Sequence, residues 1–176
     1  MNKTTFSDGT TPGITASFLN NFQDEFISLQ NKVKSAIQVK LNAGSNITTN
    51  SNQNAKIPFD TTVNTKGTGL TLSSNGVKIG AEISKVKVTL SGNIGNSSSS
   101  SATVGLIIAK NDYTLTYQTI KVANGSNSYV DLGTAVAIID VTKNDVIYGY
   151  IRSVGATNKT FSLNSSLNTS MIVEEM

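Results

Sequence analysis

The sequence predicts a mainly β protein, in which one N-terminal amphipathic α-helix precedes an antiparallel β sandwich or jelly roll. Three observations carry this. From residue 38 to residue 176, apolar residues arrive in strand-length groups separated by Gly, Asn and Ser turns. The apolar period changes once, from that of a helix near residues 15–37 to the alternation of strands afterwards. Charged residues are only 14% of 176, against ~25% in ordinary domains, and Ser, Thr and Asn take their place. Those residues suit strands, turns and solvated loops better than surface helices. The length leaves room for about one domain and an appendage. The expected division is a leader over 1–14, a helix over 15–37 and a β head over 38–176.

The leader, Thr4-Thr5-Phe6-Ser7-Asp8-Gly9-Thr10-Thr11-Pro12-Gly13, contains two turn dipeptides, Asp-Gly and Pro-Gly. Thr15 then suits an N-cap, because its hydroxyl can accept from an unpaired N–H of the first helical turn. Leu19, Phe22, Phe26, Leu29, Val33 and Ala36 follow at alternating spacings of three and four, the a/d seam of a coiled coil. Phe18 and Ile37 widen the stripe. A single helix with such a stripe must bury it, either on its own β domain or against copies of itself. Two large aromatics in the seam favour copies, and a bundle wider than a dimer, so three chains are expected.

From Gln38 the period is two. Val39 and Leu41 open a strand, and Asn42–Asn54 reads as a polar loop. Ile57-Pro58-Phe59 is an edge piece, since Pro58 cannot donate to a ladder. Leu70/Leu72 and Val77/Ile79 flank Ser74-Asn75-Gly76, a hairpin signal. Ile83–Leu90 carries the next strand, and Asn93–Ser101 is a Gly, Asn and Ser loop. Thr103–Lys110 is apolar throughout, as expected of a central strand buried on both faces. Lys110-Asn111-Asp112 turns into Leu115/Tyr117 and then Thr119–Val122, and Asn124–Asn127 turns into Val130/Leu132 and Val136–Val141. Lys143-Asn144-Asp145 leads into Val146–Ile151, with Phe161/Leu163 and Met171–Val173 closing the series. Roughly ten strands at intervals of about 8–14 residues indicate a sandwich or jelly roll. In the strand after Asp145, Val146, Tyr148 and Tyr150 share the face opposite Ile147, Gly149 and Ile151. So apolar an outer face is expected to meet a neighbouring subunit, which makes Val146, Tyr148 and Tyr150 the predicted head interface.

Chemistry has few places to reside. The chain has no Cys and no His, which removes thiolate nucleophiles, thiolate metal ligands, and the commonest general base and transition-metal ligand. Asp112, Asp131, Asp140 and Asp145 are the carboxylates that could form a hydrolytic pair. Each falls in a turn or at a strand end, where Asp satisfies backbone N–H groups. No calcium-loop spacing is present, and Gly67-Thr68-Gly69 lacks the helix that a phosphate cradle needs. No catalytic residue, metal or cofactor is therefore expected. A net charge of +3 without a basic stripe argues against nucleic acid. The absence of a signal-like or membrane-length apolar run leads to the expectation of a protein made in the cytoplasm without membrane insertion.

Two resemblances follow from these residues. Ile57-Pro58-Phe59, Gly76-Val77-Lys78-Ile79, Lys85–Leu90, Val104–Asn111, the Asp before Val146–Ile151 and the closing Thr169–Glu175 occur in the order and spacing of a C1q/TNF-like trimeric jelly roll. Phe6-Ser7-Asp8-Gly9, Ile14-Thr15-Ala16 and Leu19-Asn20-Asn21-Phe22-Gln23 resemble the opening of virion appendage proteins from phages of Gram-positive bacteria. The resemblances imply a homotrimeric virion structural protein, a short tail-fibre, baseplate or head-fibre appendage made in the host bacterial cytoplasm. Its N-terminus would be held by other virion proteins, and its head would bind host cell-surface glycan as a receptor. Tyr113 and Tyr129, together with loops 93–101 and 124–127, are the candidate glycan contacts. The alternative is a capsid decoration or baseplate joint with no receptor role, and a third reading is a small carbohydrate-active enzyme using Asp112 or Asp145.

Overall fold

The computed structural model describes residues 15–31, 34–49, 53–96, 102–123, 129–154, 159–163 and 169–176, and side chains from 113 to 130 lie outside that description. The chain forms two compact units, residues 1–34 and 35–176. In the first, α1 (Ala16–Asn31) is capped as expected, with the Phe18 N–H donating to Thr15 Oγ1 at 3.3 Å.

The helix is shorter than its apolar spacing predicts. Ala36 belongs to the next element, β1 (Ala36–Lys40), so its place in the helical seam is corrected, as is that of Ile37. Val33 lies outside the described residues. Tertiary pairing explains the change at residues 35–40. The Ser35 N–H donates to Glu175 Oε2 at 2.7 Å, and the Glu175 N–H donates to the Ser35 carbonyl at 2.8 Å. The strand then alternates, with Ile37 and Val39 buried and Ala36, Gln38 and Lys40 half-buried. Two β-branched residues entering the core offer about 1.5–3 kcal/mol each, more than one further helical turn provides.

The second unit continues with β2 (Ser45–Thr49), β3 (Asn54–Lys56), β4 (Thr61–Lys66), β5 (Leu70–Ser73), β6 (Gly76–Ile79), β7 (Lys85–Asn96), β8 (Ala102–Lys110), β9 (Tyr113–Ala123), β10 (Tyr129–Asp140), β11 (Val146–Val154), β12 (Lys159–Leu163) and β13 (Ser170–Glu175). Two antiparallel sheets result. One has the order β2-β12-β7-β13-β1-β4, with β10 on the other side of β7; the other has β5-β6-β11-β8-β9, with β3 also on β11. The core between them is built from the inward residues of both, among them Phe59, Leu90, Leu106, Ile147 and Phe161, all at most 1% exposed.

Several local details differ from expectation. The segment read as a polar loop contains β2, which pairs with β12 from Ser45↔Leu163 to Thr49↔Lys159 and buries Ile47 and Thr49. The Leu70–Ile79 hairpin forms with Ser74 (φ 50°) and Asn75 (φ 68°) as its two central residues, and Gly76 is the first residue of β6. Both φ values are positive, as a twist-matched two-residue turn requires. Gly76 answers a different need. A Cβ there would lie 2.6 Å from the Ile147 carbonyl oxygen and 2.6 Å from Tyr148 Cδ1. The β8–β9 turn is of the same kind, with Asn111 (φ 50°) and Asp112 (φ 69°) between the paired Lys110 and Tyr113. β8 is buried on both faces, with Leu106 and Ile108 in the main core and Ile107 and Ala109 in a second cluster outside it.

Candidate functional site

The second cluster is where the sequence placed the head interface. Val146, Tyr148 and Tyr150 do share the outer face of β11, beside Ile107 and Ala109 of the neighbouring β8. Within the single chain this face is already largely closed. Tyr148 and Tyr150 are 9% and 8% exposed within the single chain, which leaves a neighbour little surface to cover. β3 accounts for the covering. It pairs with the edge of β11, Lys56 opposite Tyr150, Ala55 opposite Ile151 and Asn54 opposite Arg152. From there the Lys56 ammonium lies 3.5 Å from the centroid of the Tyr148 ring and 5.6 Å from that of Tyr150. The two rings meet edge to face, with centroids 6.3 Å apart and planes at 66°.

Asp112 completes the group from the β8–β9 turn. Its Oδ1 is 3.0 Å from Lys56 Nζ and also accepts the Tyr150 hydroxyl. Those two hydrogen bonds, the one from Tyr150 first, hold the Asp112 carboxyl below its usual range. Burial, and then the charge and hydrogen bond of Asp112, raise the Tyr150 phenol above its ordinary value. The carboxylate is thus anionic and the phenol is a fixed donor. This cluster is visible in the sequence only in part, because Lys56 lies 92 to 94 residues before the tyrosines it covers.

The other carboxylates are structural. Asp145 accepts from Asn111 Nδ2 at 2.6 Å, from the Thr142 N–H at 2.9 Å and from the Thr142 hydroxyl at 3.2 Å, with Lys110 Nζ 3.9 Å away. Burial opposes its ionisation, but the bonds from Thr142 and Asn111 and the Lys110 charge outweigh it and hold the carboxyl below 3.8. Asn111 returns a bond to β11, its Oδ1 accepting from the Val146 N–H at 2.8 Å. Asp145 therefore ties the turn before β11 to the turn after β8. Asp131 Oδ1 accepts from the Gly133 N–H at 2.8 Å inside a bulge of β10, and exposed Asp140 pairs with Lys85 at 3.4 Å.

Tyr113 and Tyr129 are the first residues of β9 and β10, and their side chains lie outside the description. The backbone places them at opposite ends of the head. Tyr113 pairs with Lys110, whose Nζ reaches the carbonyl of Asp140 at the far end of β10 from Tyr129. The length of β10, roughly 35 Å at the usual rise per residue, separates them. One small glycan cannot touch both within a chain. The chain enters the head at the Tyr113 end, where Ser35 pairs with Glu175 and the Met176 N–H donates to the Lys85 carbonyl. Tyr129 lies at the other end, paired with Gly95 near the close of β7.

Among the described residues, large apolar side chains stay exposed on α1 and on one sheet face. On α1, Phe18, Phe22, Phe26 and Leu29 are 45–61% exposed. The second is the outer face of the β10-β7-β13-β1-β4 layer, where the strand registers line residues up in rows. One row reads Val136, Thr89, Ile172, Gln38 and Asn64, and the next Ile138, Lys87, Glu174, Ala36 and Lys66. Val136 and Ile138 are 47% and 62% exposed. The only full charges in these rows are Lys87 and Glu174, paired at 3.5 Å, and the peripheral Lys66. Strand alternation marks Val136 and Ile138 as outward once the inward set of Leu132, Ala135, Ala137 and Ile139 is known. The sequence alone reads Val136–Val141 as uniformly apolar.

No protein-family model matches the chain, and no curated protein is similar to it. Solved structures are. Murine APRIL at pH 8.0 is similar with a TM-score of 0.57 and 15% identity, over 82% of this chain and 100% of that one. Eiger, a TNF from S. frugiperda, is similar with a TM-score of 0.51 and 12% identity, over 82% and 92% of the two chains. The head therefore has a TNF-like jelly-roll fold.

Proposed function

We propose that this chain is a short homotrimeric appendage of a phage virion, held through its N-terminal residues by other virion proteins, with a head that binds host-surface carbohydrate. The observation that carries the assembly is the pair of apolar surfaces left open in one chain, the α1 seam and the Val136/Ile138 face. Leu19, Phe22, Phe26 and Leu29 would meet their counterparts in a three-helix bundle. The β10-β7-β13-β1-β4 face is the surface that heads would share, in place of the closed Tyr148/Tyr150 face. The TNF-like fold of the head and the virion-like leader agree with this reading.

The topology also favours one end of the head for recognition. Ser35 and Met176 stand at the Lys85 end of the head, and Tyr129 stands at the opposite end, which is taken here as the recognition end. Tyr113 lies at the entry end. Tyr129 is thus the better glycan contact of the two. No catalytic step is assigned, since Asp112, Asp131, Asp140 and Asp145 each hold a turn, a bulge or an ion pair.

Sedimentation equilibrium tests the assembly, with an expected mass of three times 18.5 kDa. A monomer across micromolar concentrations refutes it. Adsorption tests the role. Virions carrying Tyr129→Ala should attach less well to host cells than those carrying Tyr113→Ala, and unchanged attachment by virions lacking the head assigns the joint role instead.

A further inference from the structure

The group formed by Lys56, Tyr148, Tyr150 and Asp112 has the composition of a receptor for a cation, and the cation it holds is the chain's own. An ammonium gains from the electron-rich faces of aromatic rings and from an adjacent carboxylate, and the gain grows as water is excluded. Here Lys56 Nζ is 3.5 Å from the Tyr148 centroid, 5.6 Å from that of Tyr150 and 3.0 Å from Asp112 Oδ1. The walls and the occupant have different origins. Tyr148 and Tyr150 stand on β11, Ala109 and Ile107 flank them as cross-strand partners on β8, and Asp112 sits in the two-residue turn that ends β8. Gly76 of β6 lies against the Tyr148 ring, and the Tyr150 hydroxyl bonded to Asp112 sets the second ring. Each wall thus has a contact besides Lys56. The occupant comes from β3, three residues on the edge of β11. Its side chain is 33% exposed and that of Asp112 is 65% exposed, so the group opens to solvent on one side.

We propose that Tyr148, Tyr150 and Asp112 form a binding site for an organic ammonium group, which Lys56 fills as a tethered ligand and which an external ammonium enters in its place. A primary ammonium and a quaternary one share the chemistry required. The primary group adds hydrogen bonds to Asp112, while the quaternary group adds contact with both rings. A tethered competitor acts at an effective concentration in the millimolar range, so the intact chain should bind an external ammonium weakly, and removal of the Lys56 side chain should expose the full affinity. This property belongs to the head alone and stands whether or not the protein adsorbs to a host.

The experiment titrates the full-length chain, its Lys56→Ala variant and the Lys56→Ala/Tyr148→Leu double variant with choline and, separately, with n-butylammonium, following the ligand resonances by NMR. Lys56→Ala should bind one or both in the millimolar range, about two- to tenfold more tightly than the wild type, with ligand protons shifted upfield by the rings. Tyr148→Leu or Asp112→Asn in that background should weaken binding by about tenfold. The arm that binds more tightly identifies a quaternary or a primary ammonium as the natural class. A Lys56→Ala chain that binds neither, or binding indifferent to Tyr148 and Asp112, overturns the proposal. A second measurement leaves the walls untouched. Reductive dimethylation of lysines with ¹³C-formaldehyde keeps the charge, and the Lys56 methyl signals should appear displaced upfield from those of the other lysines. Lys56 methyls at the common position also overturn it.

Discussion

The contact proposed between heads makes a quantitative prediction. Val136 and Ile138 have 47% and 62% of their surfaces still exposed in the single chain, together about one whole aliphatic side chain. Full burial of a Val or Ile is worth about 1.5–3 kcal/mol, so closing this face contributes about 1.5–3 kcal/mol per chain and about 5–9 kcal/mol over three chains. Replacing both by Asp removes that gain and places unpaired carboxylates in the contact, which costs more. The trimer association constant of the Val136→Asp/Ile138→Asp chain should therefore fall by at least about 10⁴-fold. The monomer itself should be nearly unaffected, because outward-facing substitutions ordinarily change stability by about 0.5 kcal/mol or less. Sedimentation velocity over about 1–100 µM, with far-UV circular dichroism as a control for the strands, reads both effects. The wild type should sediment as a trimer and the variant as a folded monomer. A variant that keeps the wild-type mass with native strands would refute this face as the contact between heads.

Other expected outcomes concern the seam, the core and the turns. Phe22→Ser/Phe26→Ser removes two aromatics from the α1 seam and should weaken trimerisation while leaving the head's unfolding temperature, measured on the isolated monomer, unchanged. Gly76→Ala drives a Cβ to 2.6 Å from the Ile147 carbonyl, a backbone atom with no room to withdraw. Overpacking of this kind costs about 1–3 kcal/mol, and the melting temperature should drop by about 2–4 °C for each. Asp145 has a folded pKa below its ordinary value of 3.8, so its contribution is complete above that value and is lost as pH falls through the folded one. Denaturant unfolding should show stability declining below about pH 4, and Asp145→Asn should flatten that decline. At neutral pH the same substitution should cost about 1.5–3 kcal/mol, through weakened bonds to Thr142 and Asn111.

Particular elements show where local reading succeeded and where it did not. Leu70–Ile79 was legible as a hairpin because alternation and turn residues act within ten positions, although the left-handed residues proved to be Ser74 and Asn75. Gly76 stands next in line for a reason no local rule contains, the approach of β11. β8 was legible as doubly buried from its uninterrupted apolar run. The outward apolar face of β11 was legible too, but its cover was not, since Lys56 arrives from an edge strand of three residues that carries no periodic signal. Ala36 fits a heptad as well as it fits a strand, and only the ladder with Glu174 and Lys66 separates the two.

By itself the chain's order of residues determined the class of fold, one helix ahead of an antiparallel sandwich, because period and turn chemistry are properties of neighbours along the chain. Its composition also leaves the chain without a His or Cys side chain. The tertiary structure alone decided which apolar faces are closed and which stay open. It put Lys56 over Tyr148 and left Val136 and Ile138 uncovered. Burial is settled by residues distant in sequence, through strand registers that place Val136 beside Thr89 and Thr89 beside Ile172.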